Sequence, residues 1–344
     1  MLLFGGGRDY ERLVVVQRPE IGLRAIVAVH STRRGPAFGG IRRRHYASEA
    51  AALDDALELA EAMSHKCALA GLAAGGAKTV MLQPGASEGF DRIASYEALG
   101  AEIAGLAGQY VCGPDLGTGE AELAVVRRVC AHVNPADNDA GASTAAGVHA
   151  GLRAIWSHLE LGDGRGSHVA IQGLGSVGLA LAVALRRQGV RVTGADPDEA
   201  ACRRAAELGV RIVGVDEIMA EPCDVLSPCA TGHGLHADAI GALRCRAVCG
   251  SANNQLAGPD AARRLQARAI VHAPDVVVSA GAVIEGVLTV QHGQSAAVRR
   301  TVAETIASIE TTLLQVLAEA RGRGCPPSVA ARDMARARLE PRGP

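Results

Sequence analysis

Aromatic side chains are scarce in this chain: 2% of its 344 residues, with one Trp, four Tyr and three Phe. A core built almost without them has to be filled by Ala, Val and Leu, and at 48% hydrophobic residues there is ample material. Charge of one sign is also missing. The formal net charge is −1 and no basic run is interleaved with aromatics, which argues against a nucleic-acid partner. Long hydrophobic runs are absent, so no membrane span is expected. The N-terminus lacks the basic-then-apolar pattern of a signal peptide, and the expected location is the cytoplasm. Nine cysteines include no Cys-x-x-Cys and eleven histidines no His-x-x-x-His, so neither a disulfide framework nor a metal site is expected. The thiols are expected to be buried and reduced.

What is present is organised around His168-Val169-Ala170-Ile171-Gln172-Gly173-Leu174-Gly175-Ser176-Val177-Gly178, an apolar run that breaks into Gly-x-Gly-x-x-Gly and continues into an alanine- and leucine-rich stretch. This reads as strand, tight turn and helix. The next strand-like run, 190–193, leads to Asp196, 18 residues after Gly178. That is the spacing of a dinucleotide fold. Gly173 permits the turn, Gly175 lets backbone approach a pyrophosphate, and Gly178 lets the helix pack on the strand. The N–H groups of the helix start, at Ser176 and Val177, then face the phosphates. An acid at the end of the second strand accepts from both ribose hydroxyls and repels a 2′-phosphate, which favours NAD over NADP.

At 344 residues, two domains are the default. Residues 13–17 and 25–30 read as paired strands, and 35–42 (Gly-Pro-Ala-Phe-Gly-Gly-Ile-Arg) as a loop. Ser48 caps a helix to about residue 65, Lys66 follows it, and 79–82 is a further strand. A helix is expected over 96–107, a strand from 110 ending in a loop that carries Asp115, and a helix over 120–132. A turn-rich boundary at 134–141 precedes a long helix starting at Ser143 or Thr144. Beyond it, strands at 169–172, 190–193, 210–213, 224–227, 246–249 and 276–279 alternate with helices and suit an open, mostly parallel sheet. Amphipathic helices over 298–320 and after Pro327 would return to the first domain or build a subunit interface; the sequence does not separate these. The expected division is 1–138 with about 310–344 as an α/β substrate and oligomerisation domain, and 139–309 as a doubly wound Rossmann-type domain, with a cleft between them.

Lys66 and Lys78 are separated by a segment containing three glycines, so the chain can fold back and bring both to one pocket. One ammonium can pair with a substrate carboxylate, while positive potential and exclusion of water lower the other from about 10.4 toward use as a base. The plain alternative is two solvated surface lysines. A phosphate-binding P-loop is excluded because Ala77 separates the glycines from Lys78 and no Gly-Lys-Thr is formed.

Gly75-Gly76-Ala77-Lys78-Thr79-Val80, Lys66 after a helix, Asp115 in Pro-Asp-Leu-Gly-Thr and the later Gly-Leu-Gly-Ser-Val-Gly resemble the amino-acid dehydrogenases acting on leucine, phenylalanine, valine and glutamate. The resemblance continues at Thr144-Ala145-Ala146-Gly147-Val148, Pro228-Cys229-Ala230, the segment around Asn254 and Ala273-Pro274-Asp275, and so spans nearly the whole chain. It implies NAD-dependent, reversible oxidative deamination of an L-amino acid to a 2-oxo acid and ammonia, by a homo-oligomer. It further implies that Lys66 holds the substrate α-carboxylate, that Lys78 is the base, and that Asp115 relays protons. Gly40 would line the substrate pocket. Thr144 and Asn254 would lie beside the nicotinamide, and Ala230 would contact the cofactor.

Two positions depart from the pattern. Ala77 stands where the family has glycine, and Ser279 where the leucine and phenylalanine enzymes have an Asn whose amide contacts the substrate carboxylate side. These departures motivate a rival reading, a sensor of the same fold without turnover, although such a sensor would need neither a base nor a proton relay. At the position where the glutamate enzymes carry a side-chain-pairing lysine, this chain has Phe38. Acidic substrates would therefore be rejected and hydrophobic ones preferred, with Ala280 and Ala282 leaning toward a roomier pocket.

Overall fold

The computed structural model describes residues 9–85, 89–230 and 232–340. The chain separates into two compact units, one of residues 1–138, 286–293 and 335–344, the other of 139–285 and 294–334. The C-terminal helices expected to belong with the N-terminal domain divide differently. Most of 310–344 clusters with the second unit, and only the end from Ala335 returns to the first.

The first unit begins with strands β1 (Arg12–Arg18), β2 (Leu23–Ser31) and β3 (Ala37–Arg44) and helix α1 (Glu49–Leu69). Strand β4 (Gly75–Leu82), helix α2 (Arg92–Ala104), strand β5 (Tyr110–Gly113) and helix α3 (Glu120–Val126) follow. The strands form one mixed sheet in the order β1-β2-β4-β3-β5. Strand β4 runs antiparallel to β2 and parallel to β3, and β3 is also parallel to β5. Alternation along the strands separates two apolar layers. Ala37, Ile41, Ala77 and Met81 enter the core with Tyr96, Leu99 and Leu123 of α2 and α3, whereas Val80 packs with Ala52, Ala56, Leu57 and Ala60 of α1. Ser48 caps α1, its hydroxyl accepting from Ala51 N at 3.1 Å.

The expectation of a loop over 35–42 is corrected: from Ala37 onward this is the interior strand β3, between β4 and β5. Its glycines are there because other backbone lies against the strand. A Cβ on Gly39 would sit 1.7 Å from the Ala77 carbonyl oxygen. Lys66, expected just after the helix, lies inside α1.

The second unit opens with helix α4 (Ala140–His158), which begins one turn before Thr144 because Asp139 caps it, accepting from Ala142 N at 2.9 Å. Alternating elements follow: β6 (His168–Gln172), α5 (Ser176–Gln188), β7 (Arg191–Ala195), α6 (Glu199–Glu207), β8 (Arg211–Ile212) and β9 (Val225–Pro228). After them come α7 (Ala237–Ala242), β10 (Ala247–Val248), α8 (Pro259–Ala267) and β11 (Val271–His272). All pairings in this sheet are parallel, in the order β11-β10-β9-β6-β7-β8. The strand expected at 276–279 is instead helix α9 (Asp275–Val278), and the edge strand lies earlier, at β11. Its three valines suit a strand, but Pro274 starts a helical turn and Ser279 closes it, donating to the Asp275 carbonyl at 2.7 Å.

Helices α10 (Gly281–His292), α11 (Ala296–Ala307), α12 (Ile309–Arg323) and α13 (Pro327–Leu339) complete the chain. The single helix expected over 298–320 is interrupted at Ser308, whose hydroxyl donates back to the Thr305 carbonyl. Of the few aromatics, Trp156, Tyr96 and Tyr110 are fully buried. All nine cysteines are unpaired, but only Cys67, Cys112, Cys130 and Cys249 are buried; the other five are partly exposed. Among the described residues, no helix is long and apolar enough to cross a membrane.

Candidate active site

The order of the second sheet reverses beside β6. Strands β7 and β8 extend to one side, and β9, β10 and β11 to the other. Ligands of open parallel sheets bind at the carboxyl ends of strands flanking such a reversal. Gly173, Gly175, Ser176, Val177 and Gly178 follow β6 there, Ala230 follows β9, and Asp196 follows β7 directly. A Cβ on Gly178 would lie 1.9 Å from the Gly173 carbonyl oxygen, so helix and turn touch through it. Gly173 takes φ +94° close to Cys229 and Ala230. Gly175 differs, because a Cβ there would meet nothing within 4 Å. The protein does not need that glycine for its own packing, and the open space over it fits a pyrophosphate at the start of α5. Asp196 is tied to the turn, its Oδ2 accepting from Leu174 N at 2.7 Å and its Oδ1 from Asp198 N at 2.8 Å.

Asp275, a residue given no role from the sequence, joins two of the expected site residues. Its Oδ2 accepts from Asn254 N at 2.8 Å, which holds Asn254 at φ +50°, and its carbonyl takes the Ser279 hydroxyl. Ser279 is buried and its one proton is committed to that bond, so it has none to offer a carboxylate. Thr144 is buried in the second turn of α4.

The first unit assembles a second group. On β3, Phe38, Gly40 and Arg42 alternate against Ala37 and Ile41, which face the α2 core, so they share the sheet face of α1. Lys78 lies on the same face of β4, two residues before Val80 of the α1 layer. Ala77 points to the opposite face, fully buried in the α2 core, at negative φ. Its extra methyl is therefore remote from Lys78. Gly76 permits the close seat of α1, for a Cβ there would be 2.1 Å from Ser64 N. Gly40 does the same for the loop after β5, since a Cβ would be 2.5 Å from the Pro114 carbonyl oxygen and 2.8 Å from Asp115 Cβ.

This geometry brings Asp115 to Lys78, with Nζ to Oδ2 at 2.6 Å. Arg42 Nε donates to the same oxygen at 2.9 Å. The far side of Arg42 is held by Asp55 of α1, both of whose carboxylate oxygens lie 3.2 Å from Nη1, and Tyr46 donates to Asp55 Oδ2 at 2.6 Å. Burial lowers Lys78 below the ordinary lysine value, against the attraction of Asp115 and assisted by repulsion from Arg42. Asp115, although burial opposes its charge, is held well below the usual carboxylate range by Lys78 and Arg42. The result is a carboxylate that stays ionised beside an amine that can lose its proton. Lys66 lies in the last turn of α1, and it and Lys78 are each only 6% exposed. The plain reading of two solvated surface lysines is thereby overturned.

Arg42 and Asp55 were not singled out from the sequence. A count would have drawn attention to the lysines: of 35 basic residues, Lys66 and Lys78 are the only lysines and the remaining 33 are arginine. Arginine serves for fixed charge but does not deprotonate in proteins, whereas lysine can.

Residues 11–132 match the Glu/Leu/Phe/Val dehydrogenase dimerisation domain, and 203–340 the Glutamate/Leucine/Phenylalanine/Valine dehydrogenase domain. The chain belongs to this amino-acid dehydrogenase family. Residues 145–247 also match the NAD-binding domain of D-isomer-specific 2-hydroxyacid dehydrogenases, in keeping with a nicotinamide dinucleotide cofactor. The dehydrogenase is 37% identical to leucine dehydrogenase of Thermoactinomyces intermedius over 96% of this chain and 91% of that one. It is 39% identical to valine dehydrogenase of Streptomyces coelicolor, covering 96% and 92%. A crystal structure of L-tryptophan dehydrogenase from Nostoc punctiforme superposes with a TM-score of 0.81 at 28% identity, covering 96% of both chains.

Proposed function

We propose that this dehydrogenase catalyses NAD-dependent, reversible oxidative deamination of hydrophobic L-amino acids to 2-oxo acids and ammonia. The observation that carries this reading is the 2.6 Å contact between Lys78 and Asp115, an amine lowered by burial beside a carboxylate held below its usual range. A non-catalytic sensor would have no use for it, and no observation favours that alternative. The relatives named for leucine, valine and tryptophan support the hydrophobic substrate class.

Lys66 holds the substrate α-carboxylate by its charge. Lys78, as the neutral amine, takes the proton from the substrate ammonium group. A bound nicotinamide dinucleotide would supply the acceptor for the Cα hydride, and the substrate would become an imine. Lys78 releases that proton to solvent and, again as the amine, takes a proton from a water whose oxygen bonds to the imine carbon; Asp115 relays this proton to the nitrogen, and ammonia leaves as the C–N bond breaks and the carbinol O–H proton passes to Lys78. Gly40 lets the loop that carries Asp115 seat against β3, and Phe38 offers an apolar wall. Gly173, Gly175, Ser176, Val177, Gly178 and Ala230 would hold the pyrophosphate, and Asp196 the ribose, which would select NAD. Thr144 and Asn254 would serve the nicotinamide end. Ser279, with its proton spent, contributes shape and not a donor. The first unit carries assembly into a homo-oligomer, in keeping with its match to a dimerisation domain.

The test is NADH formation with a panel of L-amino acids. Leucine, valine, phenylalanine or tryptophan should reduce NAD while glutamate and aspartate do not. Failure of every hydrophobic amino acid, in protein that binds NADH, would overturn the reading.

A further inference from the structure

Asp115 receives two cations on one oxygen. Lys78 Nζ and Arg42 Nε both bond Oδ2, at 2.6 and 2.9 Å, so Oδ1 keeps its capacity to accept. A buried carboxylate whose only partner was Lys78 would resist the loss of that partner's proton, because its own desolvation would then go uncompensated. Arg42 removes this obstacle. Its charge is permanent, burial works against it, but Asp115 and Asp55 together hold it above the ordinary arginine value. It is also locked in place, with side-chain exposure of 13%, between Asp115 on one side and Asp55 on the other, and Tyr46 fixes Asp55 in turn.

We propose that Arg42 is a positioning residue for the Lys78–Asp115 pair, holding the Asp115 carboxylate fixed and compensated while Lys78 passes between ammonium and amine. This rests on the reading of Lys78 as the base. The charged or titratable groups around Lys78 are Asp115 from the loop after β5, Arg42 from β3, and Asp55 from α1, with Tyr46 on Asp55. Tyr110 of β5 feels Asp115 as well, but its hydroxyl bonds Thr79 and the Gly39 carbonyl and its proton is held by burial. Asp115 and Asp55 favour the ammonium form of Lys78, while burial and Arg42 favour the amine. Without Arg42 the balance moves toward the ammonium.

The experiment uses the only two lysines in the chain. Protein labelled with ¹³C and ¹⁵N in lysine gives two side-chain signals, and Lys78→Met assigns them. In Arg42→Met the Lys78 titration midpoint should rise by about one pH unit or more, the usual size of a close charge's effect. Arg42→Lys, which keeps the charge but not the paired contacts and adds a third lysine signal that is identified by combining it with Lys78→Met, should raise it by less. The acidic limb of the kcat/KM profile for deamination should move upward in the same order, so Arg42→Met loses about tenfold or more below the limb and recovers most of it above. A Lys78 midpoint unchanged in a folded Arg42→Met protein overturns the proposal, as does a uniform loss of rate with the limb in place. Should Arg42→Met not fold, an unmoved midpoint in Arg42→Lys does the same. If the wild-type protein deaminates nothing, the proposed function fails but the titration still decides the role of Arg42.

Discussion

Gly40 and Asp115 touch backbone to side chain: a Cβ at position 40 would stand 2.8 Å from Asp115 Cβ, with the Pro114 carbonyl oxygen nearer still at 2.5 Å. Neither neighbour is the end of a flexible side chain. Gly40→Ala should therefore displace the loop that carries Asp115 and lengthen its 2.6 Å contact with Lys78. The expected result is a loss of about 1–3 kcal/mol in stability and a fall in kcat of about 100-fold or more. Thermal melts and steady-state kinetics check both. A variant of full activity would mean that the loop accommodates the methyl without moving Asp115.

Lys78 links the pH dependence of rate to that of stability. Deamination requires the amine, so kcat/KM should fall by about one decade per pH unit below the lowered Lys78 value. Lys78→Arg, which cannot deprotonate, should lose about 10²- to 10⁴-fold while still binding NADH. For folding the two partners act in the same direction, since each binds its proton less tightly in the folded state. Lys78 binds its proton less tightly in the folded state, so its contribution to stability rises with pH between its folded value and the ordinary lysine value. Asp115 is depressed, so its contribution is complete above the ordinary carboxylate range and is lost as pH falls through and below it. Denaturant titrations of wild type and Asp115→Asn across acidic pH should show the variant's deficit shrink as the solution becomes more acid.

Asp196 accepts from Leu174 N and directly follows β7; the proposed function gives it the ribose. Asp196→Ser should raise KM for NAD and narrow the preference for NAD over NADP, by about 10-fold or more if one charge repulsion of about 1.4 kcal/mol is removed. The measurement is kcat/KM with each cofactor. Wild-type protein that uses both equally would refute this placement.

Phe38 occupies β3 two residues before Gly40, is buried, and shares the sheet face of Lys78. Hydrophobic substrates should be favoured over polar ones and polar over acidic ones. Phe38→Ala should lower kcat/KM for leucine and phenylalanine through about 2–3 kcal/mol of lost apolar contact. Turnover of glutamate as fast as leucine by the wild type would show that Phe38 does not meet the substrate side chain.

The dinucleotide turn was legible in the sequence because every constraint on it is local. Gly178 abuts Gly173, five residues away, and Asp196 directly follows the next strand. Strand β3 was not legible, since Gly39 and Gly40 answer to the Ala77 and Pro114 carbonyls on other elements, and a glycine pair read alone suggests a loop. The three valines 276–278 misled in the reverse sense. Their side chains suit a strand, but Pro274 and the Ser279 bond to Asp275 turn the backbone into a helix. Lys78 and Asp115 could be placed through the motifs around them. Arg42 could not, being one of 33 arginines whose importance comes from partners 13 and 73 residues away.

The scarcity of aromatics has an optical consequence. All four tyrosines, 10, 46, 96 and 110, belong to the unit that carries Lys78, while the sole tryptophan, fully buried Trp156 on α4, belongs to the unit that carries the glycine-rich turn. Each half of the molecule thus has its own intrinsic chromophore. Tryptophan emission follows the nucleotide-binding half and tyrosine absorbance the other, so a denaturation experiment on the unlabelled protein can tell whether the two halves melt together or one after the other.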